Sequence, residues 1–379
     1  MKRPIHCPEL LSSVVLCLML VWPMEAQAQL ANDPDYKRGL LWGMYGDSTQ
    51  PASAFGSQSA EAWANGHTNC SSVYVGIISD GLMTTHEDLL ANVGTNPGDS
   101  TVDDGDNDGN GYIDDVHGWD FLWNDNRVFR GFDFDSLGTR AAGIIGAVGN
   151  NKKGVVGVCW RVKLLTARVV SLGNGEPAET TTAVARAIDY MTDLKLSGVN
   201  LVATLNTWGV DGYGSTLQTH SQDIQDAITR AGDAGVLFIT DSGYNSINLD
   251  STAAKPWHGY PARYAGDHII AVASIDESGG LFAFSNWGAT TVDIGAPGVR
   301  IRTTLPTRDR ARGSTLISGY ETSDFSGAAF VAGAAALYKA YHPLASAAEI
   351  KAAILNSGVP TTSLQGKTVS GKRLNTSGF

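Results

Sequence analysis

A run of closely spaced aspartates carries the strongest local chemical signal in the sequence. Residues 103–115 hold six carboxylates, most at alternating positions, together with glycines that allow a tight turn. Alternating oxygen ligands around a glycine turn form a cage for a hard cation such as Ca²⁺. Without a counterion, so many carboxylates would repel one another strongly. The pattern therefore predicts a structural calcium site, and the alternative is a solvated acidic loop with no bound ion.

Two registers compete for the ligands of this loop. The first begins at Asp104 and ends on the carboxylate of Asp115, whereas the second begins at Asp106 and puts His117 where a glutamate belongs. We favour the first register, because a calcium site depends on its last carboxylate. The predicted ligands are Asp104, Asp106, Asp108, Asn110 and Asp115.

Length and charge limit the class of protein. The chain has 379 residues, 17% of them charged, and a formal net charge of −11. These values suit one large globular α/β domain. The acidic balance argues against a nucleic-acid partner or an anionic membrane surface, because both attract basic proteins.

The first 28 residues have the pattern of a signal peptide. Lys2 and Arg3 form a basic end, residues 10–22 an apolar run, and residues 26–28 a small-residue cleavage site. The apolar run is too short to span a bilayer, and we predict no membrane span later in the chain. We therefore expect an exported protein, secreted to the extracellular space or to a periplasm. A retained signal anchor is the alternative.

Two of the four cysteines, Cys7 and Cys17, leave with that leader. Cys70 and Cys159 remain, an even number in an oxidising compartment, which predicts a single disulfide. Two buried free thiols are the alternative.

Apolar runs and helical patterns alternate along the rest of the chain. Strands are expected at 73–78, 162–170, 199–205, 236–240 and 269–274. Helices are expected at 138–147, 179–194, 216–234, 326–341 and 347–355. Such alternation predicts an α/β fold with a mostly parallel sheet and helices on both faces. No repeat or linker indicates a second domain.

The helix that begins near residue 326 is built almost entirely from small residues. Its sequence Val331-Ala-Gly-Ala-Ala-Ala-Leu337 resembles the helix that carries the nucleophile in the subtilisin-like serine peptidases, or subtilases. Similar blocks cover nearly all of the chain from Asn32 to Phe379. The resemblance implies a subtilisin-like three-layer fold, with residues 67–379 as the peptidase domain and residues 29–66 as its N-terminal extension.

The resemblance also locates the catalytic positions, and none holds the expected side chain. The carboxylate that orients the histidine aligns with Ser79, in Ile77-Ile-Ser-Asp-Gly81. The general base aligns with Leu137, the oxyanion amide with Tyr244, and the nucleophile with Phe325. No histidine lies within nineteen residues of position 137. Asp80 adjoins Ser79, but neighbouring side chains of a strand point to opposite faces.

Serine peptidase chemistry needs a hydroxyl, an imidazole, a carboxylate and an oxyanion donor. We therefore predict a secreted pseudopeptidase with no catalytic residues. The segment Asn206-Thr-Trp-Gly209 resembles the family's cleft edge, which implies that a peptide or protein ligand can still bind there. One alternative is an active serine endopeptidase with a triad at other positions. The other is a calcium-stabilised structural protein that is exported.

Overall fold

The computed structural model describes Met1 and residues 31–131, 135–170, 176–209, 220–251, 259–309, 315–324 and 327–379. The predicted leader therefore lies outside the described residues, and so does Phe325. Within the part of the chain that is described, no helix combines the length and hydrophobicity needed to span a bilayer.

The described residues form eleven strands and seven α-helices. The strands are β1 (Asn69–Ser79), β2 (Gly118–Asp120), β3 (Arg161–Arg168), β4 (Leu201–Asn206), β5 (Leu237–Asp241), β6 (Ile269–Ile275), β7 (Ile294–Pro297), β8 (Ile301–Asp309), β9 (Thr315–Ser323), β10 (Val359–Pro360) and β11 (Lys372–Arg373). The helices are α1 (Pro34–Lys37), α2 (Ser59–Ala64), α3 (Leu137–Gly146), α4 (Thr181–Leu196), α5 (Gln222–Asp233), α6 (Ala328–Tyr341) and α7 (Ala347–Ser357).

Nine strands form one sheet in the order β10-β11-β7-β6-β5-β4-β1-β3-β2, and β8 and β9 form a separate antiparallel hairpin. All neighbours in the large sheet are parallel except β10 and β11. The predicted mostly parallel sheet is confirmed. The carboxyl ends of β1, β3, β4 and β5 meet at one edge of this sheet, where α/β proteins place their binding sites.

Strand β1 shows why the fold has three layers. Val75 and Ile77 lie in a core with α3 and α6, whereas Tyr74 and Ile78 lie in a second core with α4 and α5. Alternate side chains of a strand point to opposite faces, so an apolar strand must be covered on both sides. The predicted helices on both faces are confirmed.

Helix α6 is buried from Ala328 to Leu337. A Cβ added at Gly333 would lie 2.7 Å from Cβ of Val158, so this contact requires glycine. The N-terminal extension joins the same core through Tyr36 and Trp63.

The predicted disulfide between Cys70 and Cys159 is confirmed, with the Cα atoms 5.9 Å apart. Both cysteines are fully buried.

One predicted helix boundary was wrong. Residues 216–219 of the predicted helix lie outside the described residues, and within these helix α5 begins only at Gln222, because the Ser221 side chain accepts the backbone N–H of Ile224 and caps the first turn. The β8–β9 hairpin was not predicted from an apolar pattern, since its strands mix threonine, arginine and glutamate with few apolar residues.

Candidate functional site

Ser79 is the last residue of β1 and is fully buried. Its hydroxyl accepts a hydrogen bond from Thr207 Oγ1 at 2.7 Å and donates one to Asp80 Oδ1 at 3.3 Å. Thr207 follows β4, the neighbouring strand, so the contact joins two strand ends. The position aligned with the orienting carboxylate therefore holds a hydroxyl that is already hydrogen-bonded.

Asp80 binds the first turn of α3. Its carboxylate accepts the backbone N–H groups of Ser136, Leu137 and Gly138 at 2.8, 2.9 and 2.8 Å. These groups have no partner within a helix, and a carboxylate also complements the positive end of the helix dipole. Burial raises the pKa of Asp80 to about 6, against the lowering effect of the three N–H donors. Asp80 therefore fixes the start of α3, and its carboxylate oxygens have few acceptor positions left with which to orient a base.

Leu137, the first residue of α3, is half-buried against the core beside the sheet. The helix start lies close to Ser79, because a Cβ added at Gly138 would be 3.4 Å from the Ser79 Cβ. The structure therefore brings positions 79 and 137 together, as the alignment of motifs implied. At the position aligned with the base, an aliphatic side chain offers no group that can take a proton.

Six of the eight histidines lie in the described residues. His86 and His117 are bonded to backbone carbonyl oxygens at 3.0 and 2.8 Å. Three others contact tyrosine rings: His67, His220 and His342. None of the described histidines hydrogen-bonds to Ser79 or to the start of α3, so within this part of the chain no imidazole replaces the base.

Tyr244 follows β5 at the position aligned with the oxyanion amide. Its side chain is 41% exposed, and its hydroxyl lies near Ser274. Burial of the hydroxyl raises the Tyr244 pKa well above its usual range, and the nearby Asp241 adds to the effect. Ser274 Oγ also accepts the backbone N–H of Gly327, just before α6. A phenol ring thus lies beside the start of the helix that carries the nucleophile in subtilases.

Two further aromatic rings extend from Tyr244 along the surface. The Tyr244 and Phe282 centroids are 6.4 Å apart, and those of Phe282 and Phe284 are 5.4 Å apart. Phe284 is 60% exposed. We call these three residues the aromatic row, and it gives this side of the site an apolar, partly exposed surface.

Sequence reasoning missed a buried ionic cluster centred on Arg168, at the end of β3. Its Nε donates to the Asp80 carbonyl at 2.6 Å, and its guanidinium pairs with Asp120, Asp135 and Glu176. Burial alone would lower the Arg168 pKa, but the three carboxylates outweigh this effect and raise it. An arginine inside a run predicted as a buried strand was the one available signal. Through the bond from Arg168 to the Asp80 carbonyl, the cluster helps to hold the backbone at Asp80 in place.

The acidic loop brings four of its five predicted ligands together. The Asn96 amide donates to Asp108 at 2.8 Å and to Asp115 at 2.7 Å, and the Asn110 amide bonds the same two carboxylates. Asp106 accepts the Asn110 N–H. The fifth ligand, Asp104, lies apart in this arrangement.

At Asp104 the backbone φ is +63°, and its N–H donates to Asp114. Among the described residues, no group of three or more His, Cys, Asp or Glu side chains is arranged to hold a metal ion.

The donor chemistry of the loop nevertheless suits a hard cation. Carboxylate and amide oxygens are the ligands that Ca²⁺ prefers. Asp99, at the edge of the loop, is fully buried, and its Oδ2 has no hydrogen-bond partner in the described structure. The amide nitrogens of Asn96 and Asn110 lie between the carboxylates, so binding would require these amides to turn their oxygens inward. Calcium binding therefore remains a prediction.

A parallel α/β sheet, a small-residue helix behind its edge and a site at the strand ends define the scaffold of an α/β serine peptidase. The sequence profile of the subtilase family matches residues 71–375, and the chain belongs to this family.

Thermitase from Thermoactinomyces vulgaris is 31% identical over 305 residues, which cover 79% of this chain and 85% of thermitase. Subtilisin DY from Bacillus licheniformis is 28% identical over 283 residues, or 74% and 81% of the two chains. A protease structure from Pseudoalteromonas arctica PAMC 21717 matches with a TM-score of 0.67 at 22% identity. It covers 91% of this chain and 96% of that one, and it supports the fold alone.

Proposed function

We propose that the protein is a non-catalytic subtilase homologue that binds a peptide segment in the former substrate cleft. The observation that carries this proposal is the start of α3, where Leu137 replaces the base and Asp80 is bonded to backbone N–H groups. In peptidases of this type, loss of the serine or the histidine alone lowers turnover about a millionfold. Here both positions, and also those of the carboxylate and the oxyanion donor, differ from the active pattern.

Two features support peptide binding. The backbone amides of Trp208 and Gly209, which continue from β4 at the cleft edge, have no hydrogen-bond partner in the described residues. An extended peptide can add to such an edge as a further strand, with main-chain bonds for affinity and side-chain contacts for specificity. The aromatic row supplies an apolar surface for one of those side chains.

Export and calcium binding complete the proposal. The predicted leader would direct the protein out of the cell, and a disulfide is typical of proteins from oxidising compartments. The acidic loop would bind Ca²⁺ as a structural ion, far in sequence from the cleft residues after β4 and β5.

An active serine endopeptidase is the second candidate, because other similar proteins are named as a serine proteinase or a protease. A fluorophosphonate probe separates the two functions, with an active subtilase as positive control. We expect no labelling of the mature chain, and stoichiometric labelling at any serine would contradict the proposal.

Peptide arrays test the binding function directly. We expect saturable binding of a subset of peptides by the wild-type chain and weaker binding by Phe284→Ala. Leu344→Ala is the matched control, because Leu344 is 96% exposed but lies after α6 and outside the cleft. Arrays that stay silent, or equal binding by both variants, would count against a peptide-binding cleft.

A further inference from the structure

The aromatic row rests on a rigid support at the carboxyl edge of the sheet. The fully buried Asn286 side chain accepts the backbone N–H groups of Asn245 and Ile247 at 2.9 and 3.1 Å. The Ser246 N–H donates to the Phe284 carbonyl at 2.9 Å. These bonds tie the loop after β5 to the segment after β6, so the rings of the row are held in place without a ligand.

Two rings of the row present surface to solvent. Phe284 is 60% exposed and Tyr244 is 41% exposed, whereas Phe282 between them is half-buried. At this exposure, Phe284 must leave at least part of a ring face open. The face of an aromatic ring carries the negative part of its quadrupole, so it attracts a cation.

Two carboxylates lie beside the row. Asp241 is the last residue of β5, and Asp324 directly follows β9, so the two approach Tyr244 from separate elements. Burial is the largest cause of the raised pKa of Tyr244, and the charges of Asp241 and Asp324 raise it further. Both carboxylates therefore lie near the phenol, and they make this side of the site negative.

Asp324 keeps its charge at the surface. It is exposed, and its Oδ1 accepts the backbone N–H of Arg300 at 2.9 Å. The Arg300 guanidinium pairs instead with Glu277 at 3.1 Å. Within the described ranges, no ion pair neutralises Asp324. Exposed aromatic rings and an uncompensated carboxylate thus occur together.

We propose that the aromatic row, together with Asp241 and Asp324, binds an arginine side chain of the peptide. The inference rests on the proposed peptide-binding function and defines its specificity. A guanidinium can stack on an aromatic ring while its N–H groups donate to carboxylates. A purely apolar side chain would use the rings but gain nothing from the carboxylates, and an acidic side chain would be repelled by them.

Fluorescence anisotropy with matched peptides tests this specificity on the mature chain. Peptides that bind in the arrays are made again with arginine, citrulline, phenylalanine or glutamate at each position in turn. Citrulline is the matched control, because it has nearly the shape of arginine without the charge. At one position we expect arginine to bind about tenfold more tightly than citrulline or phenylalanine, and this preference to shrink as salt is added.

The same measurements separate the two proposals. Equal binding of the arginine and citrulline peptides at every position, or tighter binding of phenylalanine than of arginine, would overturn the arginine site and leave peptide binding intact. Arrays on which no peptide binds would instead remove the peptide-binding function, and the arginine site with it.

Two substitutions locate the arginine. Asp324→Asn removes the charge but keeps an oxygen for the Arg300 N–H, and it should reduce the preference for arginine over citrulline about threefold. Phe284→Leu keeps an apolar side chain without a ring face, and it should reduce the preference by about as much.

Asp193→Asn is the matched control for the loss of a surface charge. Asp193 is also exposed, but it lies near the end of α4, which leads to the amino end of β4 at the opposite edge of the sheet. If Asp193→Asn lowers the preference as much as Asp324→Asn, or if neither Asp324→Asn nor Phe284→Leu lowers it, the arginine does not bind at the aromatic row.

Discussion

Replacing Asp80 by asparagine tests the role assigned to this carboxylate at the start of α3. Its pKa rises from 3.8 to about 6 in the folded chain, because it is fully buried. The folded state therefore binds more protons than the unfolded state between these two values. The resulting contribution of Asp80 to the unfolding free energy is fully present below about pH 4 and is lost as the pH rises through about 6.

The size of the effect follows from the same values. A pKa raised from 3.8 to about 6 corresponds to about 3 kcal/mol of unfolding free energy. Asparagine cannot ionise, so the unfolding free energy of the Asp80→Asn variant does not fall in this way as the pH rises. The stability of the variant relative to wild type should rise by about 3 kcal/mol between pH 3 and pH 7. The variant also leaves helix N–H groups without an acceptor, but that cost of about 1–3 kcal/mol is constant over the range.

Urea unfolding at several pH values measures this difference directly. The unfolding free energy of wild type must be subtracted from that of the variant at each pH, because Asp33 and Asp88 also have pKa values raised to about 6 by burial. Asp276→Asn is the control. Burial raises the Asp276 pKa, but hydrogen bonds from Ser278 and Gly280 outweigh this effect and lower it. The unfolding free energy of Asp276→Asn relative to wild type should therefore fall as the pH rises from about 3 to 5. If the difference in unfolding free energy between Asp80→Asn and wild type did not change with pH, the role assigned to the buried Asp80 carboxylate at the start of α3 would be refuted.

Three further predictions concern the scaffold. Excess chelator should lower the melting temperature by a few degrees, because a bound ion stabilises only the folded state, and Asp108→Asn should remove this shift; an unchanged wild-type melt would eliminate the calcium site. Replacing Cys70 and Cys159 by serine should cost about 4 kcal/mol in urea unfolding, since the disulfide closes a loop with a sequence separation of 89. Arg168→Met should cost about 3–5 kcal/mol by removing the guanidinium that pairs with the buried Asp135, and a loss below about 1 kcal/mol would contradict that pairing.

The sequence was a good guide wherever one local pattern decided the structure. Apolar runs predicted β1 and β6, and the small residues of α6 indicated a helix packed closely on its neighbours. Counting cysteines was enough to predict the disulfide, because only two lie outside the predicted leader. In each of these cases burial or pairing follows from residues that are close in sequence or few in number.

The same approach failed where partners come from separate segments. Arg168 pairs with carboxylates that are 48, 33 and 8 residues away in sequence, and no spacing rule connects them. The position of Asp80 on its strand suggested only that it does not replace Ser79. Its bonds to the start of α3 depend on how closely that helix approaches the strand end, which the periodicity of either element does not specify.

The bonds around the aligned catalytic positions bear on the proposed absence of activity. Ser79 accepts a hydrogen bond from Thr207, Asp80 binds the first turn of α3, and the Tyr244 hydroxyl lies near Ser274, whose Oγ accepts the N–H of Gly327. Asp80 thus joins a strand end to a helix start, and Ser79 joins two strand ends. A histidine at position 137 would meet a carboxylate that is already committed to the helix backbone. If the proposed function holds, peptidase activity would require an aspartate at position 79 and removal of the Tyr244 ring as well as a base and a nucleophile, so we expect no activity from any single substitution toward the subtilase pattern.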